Sequence, residues 1–260
     1  MSQPETGGAA LELAALTWTE FAALPRERLV GILPVGAVEA HGPHLSLLTD
    51  GIIAGAMASA GAEILARAGW TAVVLPGLDY VAAPFADAFP GTLSVTAETV
   101  TALVADLALA WTRQGARALA LANAHLDPAH LAALEAAVVA ARSRGSVPVV
   151  FPNVARKPWA LRLTEELRSG ACHAGQYETS IVLAAQPERV RQGRARQLAA
   201  NPRSLSEAIR AGQRTFAEAG GPMAYFGDPA AATAEEGRAT IHELGGIVAD
   251  AVIAALGGEG

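Results

Sequence analysis

The sequence predicts a single α/β domain: a mainly parallel sheet sandwiched by helices in a three-layer αβα arrangement. Three observations predict it. Short runs rich in Val, Ile and Leu alternate with longer Ala-rich helical runs between residues 28 and 153, the order of strand–helix–strand units. The strand-like runs are apolar throughout, as strands covered on both faces are. Asp, Pro and Gly stand where helices should start and stop. The 260 residues suffice for one large core. No repeat, linker or low-complexity block divides them, so the domain is expected to span 1–260.

The first strand is "RLVGILPVG" (28–36). A helix follows over 50–69, with Asp50 as its N-cap and Gly69 just past its end. "WTAVVLPGL" (70–78) is the second strand, 95–115 an amphipathic helix closed by Gly, and "ARALALANA" (116–124) the third strand. The helix over 127–145 has Asp127 at a cap position and Pro128 in its first turn, and "SVPVVFPN" (146–153) is another strand. A further helix starts near 175, and the last lies over 233–256. The polar stretch 186–232 reads as loops with short helices.

Composition narrows the function. Hydrophobic residues make up 52% and charged ones 17%, which excludes a disordered chain. A formal charge of −6 argues against a general phosphate-backbone binder, so no nucleic-acid partner is expected. The single cysteine, Cys172, excludes an internal disulfide framework and fits a reducing compartment. No secretion signal is visible at the start, and the longest apolar runs are interrupted before the ~20 residues a membrane span needs. The expectation is a soluble cytoplasmic protein without a membrane partner.

Binding residues in such folds gather in the loops after the carboxyl ends of strands. Glu39 and His41 stand two apart after the first strand, so on extended chain they face the same way. Asp50 can return to them from the next helix. His125 and Asp127 repeat the spacing after the third strand. Imidazole with carboxylate suits zinc, manganese or iron(II), and such a set can hold two ions about 3.5–4 Å apart. The same residues also suit ordinary loop and cap positions, and spacing alone does not decide. His44 reads as a structural loop histidine more than a ligand. His130 and His242 read as surface or packing residues, and Cys172 as an incidental or buried thiol although it precedes His173.

Longer motifs are more specific. "LPVGAVEAHGPHLSLLTD" (33–50) resembles the signature segment of the creatininase family of metal-dependent amide hydrolases, P-x-G-x-x-E-x-H-G-P-H-L-P-x-x-T-D. "FPGTLSV" (89–95), "CHAGQYETS" (172–180) and "FGDPAAATAEEG" (226–237) resemble three further family blocks in the same order. The resemblance covers nearly the whole chain. It implies two divalent metal ions, zinc foremost with manganese or iron(II) as alternatives. The implied ligands are Glu39, His41, Asp50, His125 and Glu178, with Asp50 bridging. His173 matches a family histidine near the substrate that binds it or shuttles a proton. The resemblance also implies a homo-oligomer, with a hexamer as the leading candidate.

The chain departs from the family in two informative places. Where most members carry N-G-H-G-G-N, this chain has "NAHLDPAH" (123–130), so Asp127 replaces a glycine. Creatininase itself has a glutamate there, so Asp127 is expected to hold or deprotonate a metal-bound water. A direct ligand role and a plain helix N-cap are the alternatives. Phe85 and Ala86 stand where many relatives carry a polar residue, which implies a more apolar substrate pocket.

The implied activity is hydrolysis of a non-peptide C–N amide bond, open-chain or cyclic, in a small molecule. Asp127 or His173 would relay a proton, with backbone N–H groups near Gly175 assisting the oxyanion. The alternatives are a peptidase that trims a small modified peptide, as in mycofactocin maturation, a formamide deformylase, and a non-catalytic metal-binding assembly protein. A nucleotide-directed deformylase needs a phosphate site, yet no Arg/Lys cluster adjoins the motifs, Arg156 and Lys157 being nearest. Creatinine is disfavoured because "LRSGAC" (167–172) lacks the expected aromatics, unless Trp159 fills the gap. No G-x-G-x-x-G follows the first strand, which argues against a dinucleotide-dependent dehydrogenase.

Overall fold

A computed structural model describes residues 10–257. The chain opens with a short strand β1 (Leu11–Glu12) and helix α1 (Trp18–Ala22), then enters β2 (Leu29–Val35) and α2 (Thr49–Arg67). β3 (Thr71–Val74), α3 (Ala97–Arg113), β4 (Ala118–Asn123), α4 (Pro128–Ser143) and β5 (Val149–Val150) complete the alternating part. Helices α5 (Glu165–Ser169), α6 (Gln176–Ala185), α7 (Gln192–Ala195), α8 (Leu205–Arg210) and α9 (Ala234–Leu256) follow. Every strand pair is parallel, in the order β1-β3-β2-β4-β5.

β2 is the topological switch point. Its register pairs Ile32 with Val74 of β3 on one side and with Ala120 of β4 on the other. α2 leads from β2 to β3 on one side, α3 carries the chain from β3 back past β2 to β4 on the other, and a crevice opens beyond the carboxyl ends of β2 and β4.

Both faces of the sheet are covered, which explains the uninterrupted apolar strands. Val30, Ile32 and Ala120 point into a core with Met57 of α2, Ile181 of α6 and Ile247 of α9. Leu29, Leu33 and Leu121 point the other way, onto Val104 of α3 and Leu134 of α4. Small residues set the spacing within a layer: a Cβ on Gly245 of α9 would come within 2.6 Å of Ala60 of α2.

The predicted elements differ from the observed ones in three respects. β3 and β5 are shorter than the runs 70–78 and 146–153, because Pro76, Pro148 and Pro152 lack the N–H a ladder needs. β1, α1 and α5 are additional, and each is too short to show a periodicity. α2 begins one residue early, with Leu48 as its N-cap, so Asp50 sits inside the first turn and makes no cap bond. The stretch 186–232 holds α7, α8 and single turns, as read. Its Phe216 and Phe226 join Phe85 and Leu205 in a third apolar cluster that roofs the crevice.

Among the described residues one helix, α9, is long and apolar enough to cross a membrane, and half of its most apolar stretch is buried. It packs against α2 and α6 as a core helix.

Candidate metal centre

Past β2 the backbone stays extended, pairing with the segment beyond β3: Gly36 N–H bonds Leu78 O at 3.0 Å and Val38 N–H bonds Asp79 O at 3.0 Å. Glu39 and His41 therefore emerge on the same side of the crevice. Gly36 makes the next step possible. A Cβ there would lie 2.4 Å from Gly51 N, so only glycine lets the strand end touch the first turn of α2. That contact delivers Asp50. His125 arrives from the end of β4, Glu178 from the first turn of α6, and His173 from the loop before it.

All six side chains are buried and converge. His41 Nε2 lies 3.2 Å from Asp50 Oδ1, 3.6 Å from Glu178 Oε2 and 3.9 Å from Glu39 Oε1. His125 Nδ1 lies 3.1 Å from Asp50 Oδ2 and 3.2 Å from Glu39 Oε1. His173 Nδ1 is 3.7 Å from Glu39 Oε1. Three overlapping groups of ligand atoms, each within 4.8 Å, suit a metal ion: Glu39–Asp50–His125, His41–Asp50–Glu178 and Glu39–His41–His173.

The chemistry of the donors fits a cation. His125 Nε2–H donates to Ala82 O at 3.0 Å, and His41 Nδ1–H to Glu39 O at 3.2 Å. Each ring is thereby fixed with its other nitrogen aimed at carboxylates, the outer-shell pattern of metal-binding histidines. Glu39 Oε2, His41 Nε2 and Asp50 Oδ2 are buried without a hydrogen-bond partner. Three buried carboxylates facing two imidazoles carry excess negative charge, which a dry site tolerates only with a cation or protons. Protons alone would have to work hard. Burial pulls His41 down, yet the Asp50 charge overrides it and pushes the ring up to about 10. Burial pushes Glu178 up to about 8 against the pull of His41.

The surrounding residues hold this set in place. His44 Nε2 meets Thr179 Oγ1 at 3.0 Å, so it braces α6 beside Glu178 and lies outside the ligand groups. His130 is buried and bonds Asn123 Oδ1 at 2.9 Å, while Asn123 Nδ2–H donates to His125 O at 2.7 Å. His130 thus packs inside and supports the β4–α4 turn. His242 lies on α9, away from the cluster. Asp127 caps α4 through Ala129 N–H at 2.8 Å, and its other oxygen accepts Phe85 N–H at 3.1 Å. It lines the pocket without joining a ligand group. His173 stacks on Phe216 with ring centroids 4.2 Å apart and donates Nε2–H to Ala40 O at 2.9 Å.

Sequence reasoning missed Glu166 and Phe216. Glu166, on α5, accepts Tyr177 N–H at 2.8 Å and Asp228 N–H at 2.9 Å. Its carboxylate thus fills the N-terminus of α6, while Ala174 N–H is taken by Glu178 Oε2 at 2.5 Å. The expected oxyanion site near Gly175 is therefore already occupied by protein carboxylates. No spacing signal could have found Glu166, because its partners lie 11 and 62 residues away. Phe216, with Phe85, Leu126, Leu205 and Ile209, gives the pocket the apolar wall that Phe85 foreshadows. Trp159 lies in a separate groove with Phe151 and Arg156 and does not line this pocket.

The family model for creatininase, described as creatinine amidohydrolase, matches residues 14–252. The mycofactocin precursor peptide peptidase of Mycobacterium ulcerans (strain Agy99) is 32% identical over 222 residues, covering 82% of this chain and 80% of its own. Creatinine amidohydrolase of Pseudomonas putida is 32% identical over 191 residues, covering 67% of this chain and 72% of its own. A manganese creatininase structure aligns with a TM-score of 0.68 and 27% identity over 95% of this chain and 99% of that one. A zinc–zinc form of a creatininase mutant aligns with a TM-score of 0.71 and 25% identity over 95% and 98%. With its parallel sheet and its buried carboxylate–imidazole cluster at the switch point, the chain belongs to the creatininase family of hydrolases.

Proposed function

We propose that the protein hydrolyses a non-peptide C–N amide bond, open-chain or cyclic, in a small molecule at a dinuclear metal site. The observation that carries this reading is Asp50. Its two oxygens face different imidazoles, Oδ1 toward His41 and Oδ2 toward His125, as a carboxylate shared by two ions must. Glu39 and His125 would complete one ligand set, and His41 and Glu178 the other. Zinc is the foremost candidate, with manganese or iron(II) next, given imidazole and carboxylate donors. Bound there, two such ions supply carbonyl polarisation and an acidified water.

The chain's own residues do the rest. Because His173 donates Nε2–H to Ala40 O, its Nδ1 keeps a lone pair on the side of Glu39, where it accepts a proton and passes it to the leaving nitrogen. The stack on Phe216 fixes the ring plane. Phe85, Phe216 and Leu205 exclude bulk water and favour an apolar portion of substrate next to the scissile bond. Asp127 holds the turn that carries Phe85.

Peptide trimming is the second reading. It is favoured by relatives named mycofactocin precursor peptide peptidase at 30–33% identity. The test measures metal content in purified protein, then turnover of a panel of lactams, ureas, formamides and short peptides with and without chelator. Two equivalents of metal and chelator-sensitive cleavage of a non-peptide amide are expected. Cleavage confined to peptides or formamides moves the assignment to peptidase or deformylase. Bound metal with no chelator-sensitive turnover favours an assembly role. We also propose a homo-oligomer, a hexamer foremost, to be checked by light scattering of the same preparation.

A further inference from the structure

We infer that the substrate carries an anionic group, a carboxylate or a phosphate, seated in a basic basin beside the metal pocket. The two cavities are contiguous: Leu126, Ala155, Cys172 and Ser206 line both. The inner chamber, with the ligand cluster at its floor, has a volume of only ≈ 80 Å³. That is well below the roughly 300–1,000 Å³ of a ligand site. The scissile bond fits there, and the remainder of a substrate must extend outward. The adjoining basin has ≈ 350 Å³, lies against this shared wall and is the space we assign to that remainder.

The basin has a definite chemistry. Its charged lining residues are Lys157, Arg168 and Arg210, with no acidic residue among them. The neighbouring Arg156 pairs with Glu135, and Arg162 pairs with Glu243 and Asp250. Among the described residues, Lys157, Arg168 and Arg210 have no such partner. Arg168 and Arg210 each stand in the last turn of a helix, where a cation is favoured by the helix dipole. That accounts for either one alone. It does not account for three unpaired cations from three separate segments meeting at one cavity in a chain of formal charge −6. Like charges gathered without counter-charge repel, and an anion relieves the repulsion. The sequence hid this cluster, since its members are 11 and 42 residues apart and adjoin no motif together.

The inference rests on the amide-hydrolase reading for the identity of the scissile bond, and on the basin alone for the charge. The test titrates inorganic phosphate and glutarate, as probes of the two anion sources, into the metal-loaded wild type. The same titrations are run on the Arg168→Gln/Arg210→Gln double variant and on Lys157→Gln. Metal content is measured in each, so that binding at the metals is common to all. Roughly tenfold weaker binding in the double variant, and a smaller loss in Lys157→Gln, are expected at low salt, with the difference shrinking at high salt. A stronger effect on phosphate assigns a phosphorylated substrate, and a stronger effect on glutarate a carboxylate one. Equal affinities in wild type and variants overturn the inference. A parallel assay compares an amide bearing a carboxylate with its neutral analogue. The double variant should raise KM for the first only and leave kcat unchanged. If no amide is cleaved by any form, the hydrolase reading fails while the titration still decides the basin.

Discussion

Asp127 and Phe85 are joined across the wall of the metal pocket: Asp127 Oδ2 accepts the Phe85 N–H at 3.1 Å. The turn so anchored also contains Ala82, whose carbonyl fixes the His125 ring. Asp127 thus stands two residues from His125, a proposed metal ligand, and holds the loop that aims it. Asp127→Asn retains one acceptor oxygen for two N–H donors. The expected outcome is a loss of about 1–2 kcal/mol of stability, read by thermal or urea unfolding, with kcat largely kept. If Asp127 also moves a proton, the same variant should in addition lose about 10²–10⁴ in kcat.

Asp50 is the one carboxylate shared between His41 and His125, so its removal should act on both halves of the centre. Asp50→Ala is expected to abolish metal retention and turnover together, measured by elemental analysis and by rate. Glu178→Gln touches only the His41 side, so it should spare part of the metal. Full occupancy and normal activity in Asp50→Ala would sink the two-metal reading.

The parts of this centre that were legible in the sequence are those set by local geometry. Glu39 and His41 share a side because two residues of extended chain separate them, and Asp127 caps α4 because Asp precedes Pro at a helix start. The long strands β2 and β4 were visible because burial on both faces leaves no polar position. What escaped depends on contacts between distant segments. Glu178 was reached through family resemblance, since its helix lies far along the chain from the other ligands. Glu166, Phe216 and the Lys157–Arg168–Arg210 basin lie in short helices and loops, where no periodicity marks which side chain faces inward. Asp50 lies two positions past the observed N-cap, Leu48, because its carboxylate faces His41 and His125 instead of the helix N–H groups that a cap would serve.

His173 differs from the proposed ligand histidines His41 and His125 in how few carboxylates its free nitrogen meets. Its Nδ1 stands 3.7 Å from a single carboxylate oxygen, and burial, with the His41 charge second among the lowering causes, holds the ring well below its usual range. A neutral imidazole accepts a proton. His173→Gln should therefore keep the metal and lower kcat by about 10²–10⁴, with a smaller change in KM. Loss of metal in this variant would place His173 among the ligands instead.

Cys172 precedes His173 and lines the pocket, so it must be separated from the chemistry by experiment. Burial, reinforced by the Glu178 charge, pushes its thiol up to about 12. An ordinary thiol ionises near 8.5. The folded protein therefore keeps Cys172 protonated across the range where an unfolded chain releases its proton. The sign follows: the unfolded state binds fewer protons above about pH 8.5, so this group lowers stability as pH rises from there toward 12. Iodoacetamide at pH 9 should label denatured protein quickly and native protein slowly, because the thiolate is the reactive form. Cys172→Ala should retain activity and flatten the alkaline loss of stability. Rapid native labelling that abolishes turnover, together with an inactive Cys172→Ala, would assign the thiol a catalytic part and displace water as the attacking group.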